Sequence, residues 1–365
     1  MNISPNYSKR VYGLDVLRAI AIILVVNSHG KIFLKDLLGD KISWIALMDG
    51  VELFFVLSGF LIGGILIKIV HNNNYKLSIK NTFKFWKRRW FRTLPNYYLF
   101  LIINIILLKY SLIDGTFKHF DYKYFLFLQN FSQPLIGFFW ESWSLAVEEW
   151  FYIFLPISLI IFLFISPSRK GILFSIIALI TLPLFYRIIH SSEYVDPFWW
   201  DVKFRKEILM RLDTIIYGVL AAYIQFYHKK FWKKIAVPSL ILGLVIIIIF
   251  NYLPYQKNSF FIKTFYFNFL SIGVMLLLAF LSRIKDFKTF FGKIITHISL
   301  ISYSMYLVNM LIIGFVAKIV LPVSNSINGL INYLIYWILV IAISTAVYYF
   351  FEKPMMMLRN KKFFK

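Results

Sequence analysis

The chain contains no cysteine. That excludes a disulfide framework, a thiolate nucleophile and any metal site built on sulfur, and leaves the redox compartment open. Histidine is scarce as well, six in 365 residues, and no HExxH or His-rich spacing is present, so no resident metal is expected. Acidic side chains number 17 against 40 lysines and arginines, a net charge of +23. In a soluble protein such a surplus would suggest nucleic acid. Here the basic residues sit at the ends of long apolar runs, against a bilayer, and nucleic acid is not an expected partner.

What the chain has in abundance is apolar and aromatic surface: 60% hydrophobic and 20% aromatic residues, with a mean hydropathy of +0.71. Apolar runs of about 20 residues recur, the length at which a helix crosses about 30 Å of hydrocarbon with its backbone satisfied internally. Ten spans are expected, over residues 11–30, 46–68, 93–109, 145–165, 171–189, 209–227, 235–253, 265–282, 298–320 and 330–351. The expected fold is all-α, a polytopic transmembrane helical bundle forming a single integral-membrane domain over residues 1–365, with no soluble domain after residue 351. The first run is too long, and too polar on one face, for a signal peptide, and no small-residue cleavage site follows it. With the N-terminus in the cytoplasm, the inner loops hold more than twice as many lysines and arginines as the outer ones, so both termini are expected there. Most acidic loop residues, including Asp36, Asp40, Asp201 and Glu207, then face outward, whereas Asp286 and Glu352 face inward.

Polar residues inside the spans carry the functional signal, because each is costly in hydrocarbon. The first span holds Asp15, Arg18 and His29. Eleven steps of about 1.5 Å and 100° carry His29 about 16 Å from Arg18 and back to nearly the same face. Arg18 is thus expected at the inner level and His29 at the outer. The second span places Asp49 and Glu52 near its outer end, then Ser58, Gly59, Gly63 and Gly64, small residues that admit a neighbouring backbone. Glu148 and Glu149 open the fourth span and Arg211 and Asp213 the sixth, which gathers five carboxylates and an arginine at one leaflet with His29. The plainer reading, an ion-pair set that fixes helix packing, covers one or two of them. His29 is the histidine that lies in a span beside other ionisable groups, and an imidazole suits general acid or base work near neutral pH. The plainer reading of a lone membrane histidine is a packed, hydrogen-bonded residue. The run KFWKRRWFR (84–92) reads either as an amphipathic interfacial helix or as a site for a polyanion arriving from the cytoplasm.

The spacing of Arg18 and His29, with Asp15 before them, resembles the opening helix of the membrane acyltransferase 3 family, integral-membrane O-acyltransferases that modify bacterial surface carbohydrates. Further matches follow in order: VELFFVLSGFLIG (51–63), KRRWFRTLPNYY (87–98), WSLAVEEWFYIFLP (143–156), RLDTIIYG (211–218), ISYSMYLVN (301–309) and FEKP (351–354). Two positions depart from the pattern. Glu52 stands where relatives commonly have Asp, and Asn309 where many have His, which puts in doubt any histidine role in the ninth span. The resemblance implies a multi-pass protein of the bacterial cytoplasmic membrane that moves an acyl group, most often acetyl, from acyl-CoA to a hydroxyl of an extracytoplasmic carbohydrate or glycolipid. Acetyl-CoA enters as donor substrate, with no permanently bound cofactor. Arg18, Arg88, Arg89 and Arg92 would hold the donor. His29 would act as base, polarised by Glu148 or Glu149 or by Asp49 and Glu52. Arg211 with Asp213 would orient the acceptor or steady the oxyanion. Asp15, Ser58, Gly59, Trp143, Ser144, Tyr303 and Asn309 would be structural or pore-lining. A transporter or flippase for lipid-linked sugars or anions is the alternative, though the two halves show no evident repeat.

Overall fold

Without water in the hydrocarbon each crossing must close its own hydrogen bonds, and the chain does so with helices and, among the described residues, no strand. The structure, a computed structural model, describes residues 10–39, 49–252, 256–285, 289–319 and 326–358. Asp40, Asp286, the first residues of the second expected span and the basic tail from Arg359 lie outside them.

Ten helices correspond to the ten expected spans: α1 (Tyr12–Gly30), α2 (Gly50–Asn72), α3 (Ile79–Lys109), α4 (Ser142–Ile165), α5 (Arg169–Ile189), α6 (Ile208–Tyr227), α7 (Ala236–Tyr252), α8 (Tyr266–Leu281), α9 (Phe290–Ile319) and α10 (Ser326–Val347). Among the described residues eight are long and apolar enough to cross a membrane; α7 and α8 are shorter, with 17 and 16 residues. The expectation of ten full crossings therefore stands at eight by length, with two shorter apolar helices beside them.

The helix α6 is the most enclosed of the eight and packs chiefly on α2, with α5 and α8 also against it. Small residues make the α2–α6 contact possible. A Cβ on Gly59 would lie 1.8 Å from the Ile215 carbonyl oxygen, and one on Gly218 would lie 1.9 Å from that of Val56, so the two backbones touch where both lack side chains. On the other side α1 packs against α9 and α2, and α9 against α10. Outward faces expose large apolar side chains such as Phe164, Ile165, Leu182, Ile248 and Ile338, the surface that lipid covers.

Three local features aim the site. The first amides of α1, Tyr12 and Gly13, donate to the carbonyls of Lys285 (3.2 Å) and Ile284 (2.9 Å), anchoring the end that carries Asp15 and Arg18. Next, α3 starts well before the expected residue 93, with Ser78 as its cap, so the basic aromatic run is the first half of a 31-residue helix and not a separate interfacial one. Trp86 holds it to α4 by donating to the Tyr152 carbonyl at 2.7 Å and stacks on Trp90. Finally, the α3–α4 and α5–α6 connections fold over one end of the bundle and are tied together. The Asn130 amide donates to the carbonyls of Trp143 (3.0 Å) and Lys206 (2.6 Å), and the Ile208 amide donates to the Asn130 carbonyl (2.9 Å).

Candidate functional site

His29 ends α1, and its Nδ1 lies 2.5 Å from Oδ1 of Asn309 on α9. The Asn309 amide is oriented by its own helix, because Nδ2 donates to the carbonyls of Met305 (3.0 Å) and Tyr306 (2.6 Å). Its oxygen must then face the imidazole, so Nδ1 carries the proton and donates to Oδ1. Nε2 is left with its lone pair. Asn309 is fully buried, and this tautomer is the one a general base requires.

His29 lines an open cavity together with Asp49, Glu52, Glu141, Trp143 and Arg205. Asp49 caps α2, accepting from the Val51 amide at 3.0 Å, and takes the Arg205 Nε at 2.9 Å. Burial works against ionisation of Asp49, but the Arg205 guanidinium outweighs it and holds the carboxyl below its usual range. Arg205 and Lys206 both pair with Asp201, and each cation lies 5.3 Å from a tryptophan ring centre, Trp143 and Trp140 respectively. Glu141, just ahead of α4, is 5% exposed, and burial pushes its carboxyl up to about 8.

A second cavity is lined by Arg18, Ser58, Arg89, Arg92, Glu148 and Tyr303, among others. Ser58 donates to Glu148 Oε1 at 2.7 Å and the Tyr152 hydroxyl to Oε2 at 3.3 Å. Asp15 is taken chiefly by Arg10 (Nε at 2.8 Å) and Ser299 (2.9 Å), and its nearest approach to Arg18 is 3.9 Å. Three guanidinium groups against one carboxylate give this cavity positive charge, suited to phosphate.

The two cavities share a wall. Val51 and Tyr306 line both, and the neighbours Trp143 and Ser144 line one each. The Tyr306 hydroxyl donates to the Glu141 carbonyl at 3.0 Å and lies 2.6 Å from Ser144 Oγ.

Several expected placements are corrected. Glu148 and Glu149 do not join His29: α4 begins at Ser142, which puts Glu148 about 9 Å along the helix, among the arginines. Glu149 is buried and accepts from Thr93 at 2.5 Å, while Tyr303 donates to the Thr93 carbonyl. The ring nitrogen of His29 is held by an amide and not by Asp49 or Glu52. Arg211 lines neither cavity; it is fully buried, donates to Glu52 Oε1 at 2.5 Å and covers the Phe267 ring at 3.6 Å. Asp213 is equally buried, bound to Arg187 (3.0 Å to Oδ1) and Asn268 (2.8 Å), so it locks α5, α6 and α8 together and lines neither of the two cavities. Arg88 is exposed and lines neither of these two cavities, lying about 100° around α3 from Arg89. Gly59 serves the α2–α6 crossing.

None of Glu141, Arg187, Arg205 and Asn268 is singled out from the sequence. Arg187 was findable, being an arginine within an expected span. Arg205 had no local signal, since its partner Asp49 is 156 residues away.

The family described as an acyltransferase domain matches residues 11–351. A Staphylococcus aureus protein named, by inference, as an O-acetyltransferase is 30% identical over 96% of this chain and 58% of its own length. A peptidoglycan O-acetyltransferase of Listeria monocytogenes is 30% identical over 54% of this chain and 32% of its own. The chain thus spans little more than half the length of the first of these relatives, and no solved structure matches it. With the match running from the first helix almost to the last described residue, the chain belongs to the membrane acyltransferase 3 family.

Proposed function

We propose that the chain is a membrane O-acetyltransferase that takes an acetyl group from acetyl-CoA at the arginine cavity, on the cytoplasmic side of a bacterial inner membrane, and passes it to a carbohydrate hydroxyl in the histidine cavity, on the far side. The observation that carries this reading is the pair of cavities meeting at Val51 and Tyr306, one lined by Arg18, Arg89 and Arg92 and the other by His29 in the tautomer of a base. The names of the relatives point to the same chemistry and to an acceptor in the cell envelope.

Arg89 and Arg92 would bind the nucleotide phosphates through charge-assisted hydrogen bonds, and the narrow pantetheine arm would pass Arg18 toward the shared wall. The acceptor hydroxyl gives its proton to His29 Nε2 while its oxygen bonds to the acyl carbon. The carbon–sulfur bond breaks, and the sulfur leaves as thiol once it takes up a proton. Asn309 holds the imidazole in place throughout.

The test uses the full chain in lipid nanodiscs with radiolabelled acetyl-CoA and a soluble glycan acceptor. His29→Ala should lose transfer by at least about 100-fold, the scale of general base catalysis, and should still bind coenzyme A. Transfer at the wild-type rate by folded His29→Ala would remove the base assignment, and uptake of glycan without consumption of acetyl-CoA would favour a transporter.

A further inference from the structure

Two side chains, Val51 on α2 and Tyr306 on α9, line both the arginine cavity and the histidine cavity. They are 5% and 6% exposed, so each keeps surface that a group in either cavity can touch. Beside them Phe55, lining the arginine cavity, meets Trp143, lining the histidine cavity, edge-on with ring centres 5.8 Å apart. An acyl group carried in on one side and used on the other has to be presented at this wall.

Both shared side chains are held still. A β-branched valine in a helix has essentially one rotamer. The Val51 amide donates to Oδ1 of Asp49 at 3.0 Å, and the other oxygen of that carboxylate takes the Arg205 Nε at 2.9 Å. The Tyr306 ring is pinned at its far end. Its hydroxyl donates to the Glu141 carbonyl at 3.0 Å, which leaves Ser144 Oγ, 2.6 Å away, as the donor to the tyrosine oxygen. With both hydroxyl hydrogens committed, Val51 and Tyr306 offer ring and methyl carbon. A rigid gap of this kind selects by size, because an added methylene has to displace something that does not move.

Level along the helices decides what can sit there. Val51, Ser144 and Tyr306 bring no charge to the wall, and Phe54 and Phe55 follow on α2. Glu148 stands one turn, about 6 Å, further along α4, and the three arginines come in from α1 and α3. The arginine cavity thus runs from cations that suit phosphate to an uncharged end bounded by two fixed side chains. A charged group would be unpaired at that end, whereas a short alkyl group needs no partner.

We propose that Val51 and Tyr306 form the seat of the donor's acyl group and set its length, admitting acetyl and turning away propionyl and longer chains. The proposal rests on the reading of the arginine cavity as the coenzyme A site.

The experiment measures the affinities of coenzyme A, acetyl-CoA and propionyl-CoA for the full chain in nanodiscs, with no acceptor present. The wild type should bind propionyl-CoA about tenfold or more weakly than acetyl-CoA, the scale on which one methylene is discriminated. Val51→Ala removes two methyl groups where propionyl adds one carbon, and should bring the ratio to within about threefold. Tyr306→Phe keeps the ring and removes its pins, and should reduce the ratio by about threefold. Val56→Ala deletes the same atoms from the same helix, at a buried position lining neither cavity, and should keep the wild-type ratio. Because Val51 and Tyr306 stand on different helices, loss of folding in one variant leaves the other as the test. Equal wild-type affinity for acetyl-CoA and propionyl-CoA overturns the proposal, as does a wild-type ratio in folded Val51→Ala and Tyr306→Phe, or a shift in Val56→Ala as large as that in Val51→Ala. If coenzyme A binds, and Arg92→Ala weakens it, while chain length has no effect, the donor site stands and the acyl seat falls. If neither coenzyme A nor its thioesters bind, the donor reading falls and takes the acyl seat with it.

Discussion

Replacing Asn309 by alanine separates a base that is oriented from one that is merely present. The wild-type amide makes three hydrogen bonds, at 2.5, 3.0 and 2.6 Å, and is fully buried. Its loss matters little to Met305 and Tyr306, whose carbonyls lie within the ladder of α9, but it strands the Nδ1–H of His29. A buried donor without an acceptor costs about 1–3 kcal/mol, and the imidazole is then free to rotate or to move its proton to Nε2, where it can no longer serve as a base. Since general base catalysis contributes about 10²–10⁴-fold, kcat for Asn309→Ala should fall about 10²–10³-fold, or about 2.7–4.1 kcal/mol of barrier. The KM for acetyl-CoA should not change, because Asn309 does not line the arginine cavity. Asn309→Asp keeps an acceptor at Nδ1 but adds negative charge that favours the imidazolium. A more alkaline solution is then needed to free Nε2, so the acidic limb of kcat/KM should move to higher pH while the plateau stays near wild type. The assay is radiolabelled acetyl transfer from pH 5 to 9, with thermal unfolding as the control for folding. Wild-type kcat in folded Asn309→Ala, or an acidic limb that stays put in Asn309→Asp, refutes the orientation of His29 by this amide.

Further outcomes follow from the same contacts. Arg18→Ala and Arg92→Ala should each weaken coenzyme A binding about 10–100-fold, the scale of a charge-assisted hydrogen bond, whereas Arg88→Ala should leave it unchanged; equal effects at all three would deny the arginine cavity its role. Arg187→Met strands buried Asp213 and should destabilise the fold by about 3–5 kcal/mol, read as a large fall in the unfolding midpoint. Gly59→Ala should cost about 1–3 kcal/mol or more, because its Cβ meets the Ile215 carbonyl at 1.8 Å, whereas Gly64→Ala, 4.0 Å from the Ala222 Cβ, should be tolerated. Glu141 binds its proton up to about pH 8 in the folded chain and only to about 4.5 in the unfolded one, so its contribution to stability is lost as pH rises through 8. Glu141→Gln should flatten that part of the stability profile, and an unchanged slope would show that Glu141 does not cause it.

Much of the site could be read before folding, and the errors have identifiable causes. Spacing along the helix by itself puts Arg18 and His29 on nearly one face of α1 at different depths, and the structure gives each its own cavity. The same arithmetic misled for Glu148, because the start of α4 at Ser142, and not the first wholly apolar residue, sets its depth. For Arg88 against Arg89 a rotation of about 100° separates an exposed side chain from one lining the cavity, and which side faces the bundle depends on Trp86 meeting the Tyr152 carbonyl.

Run length alone determined that this chain is a helical membrane bundle, because hydrocarbon allows a crossing segment few other ways to satisfy its amides. Motif order alone determined the family. Pairing was decided only in three dimensions: His29 with Asn309, Glu52 with Arg211, Asp213 with Arg187 and Asp49 with Arg205. The reason is physical. Hydrophobicity and rise per residue report depth along one helix, whereas a buried charge chooses its partner by which helix stands beside it and which face that helix turns. In this chain those are set by Gly59 against Gly218 and by the connections that bring Arg205 and Glu141 over His29.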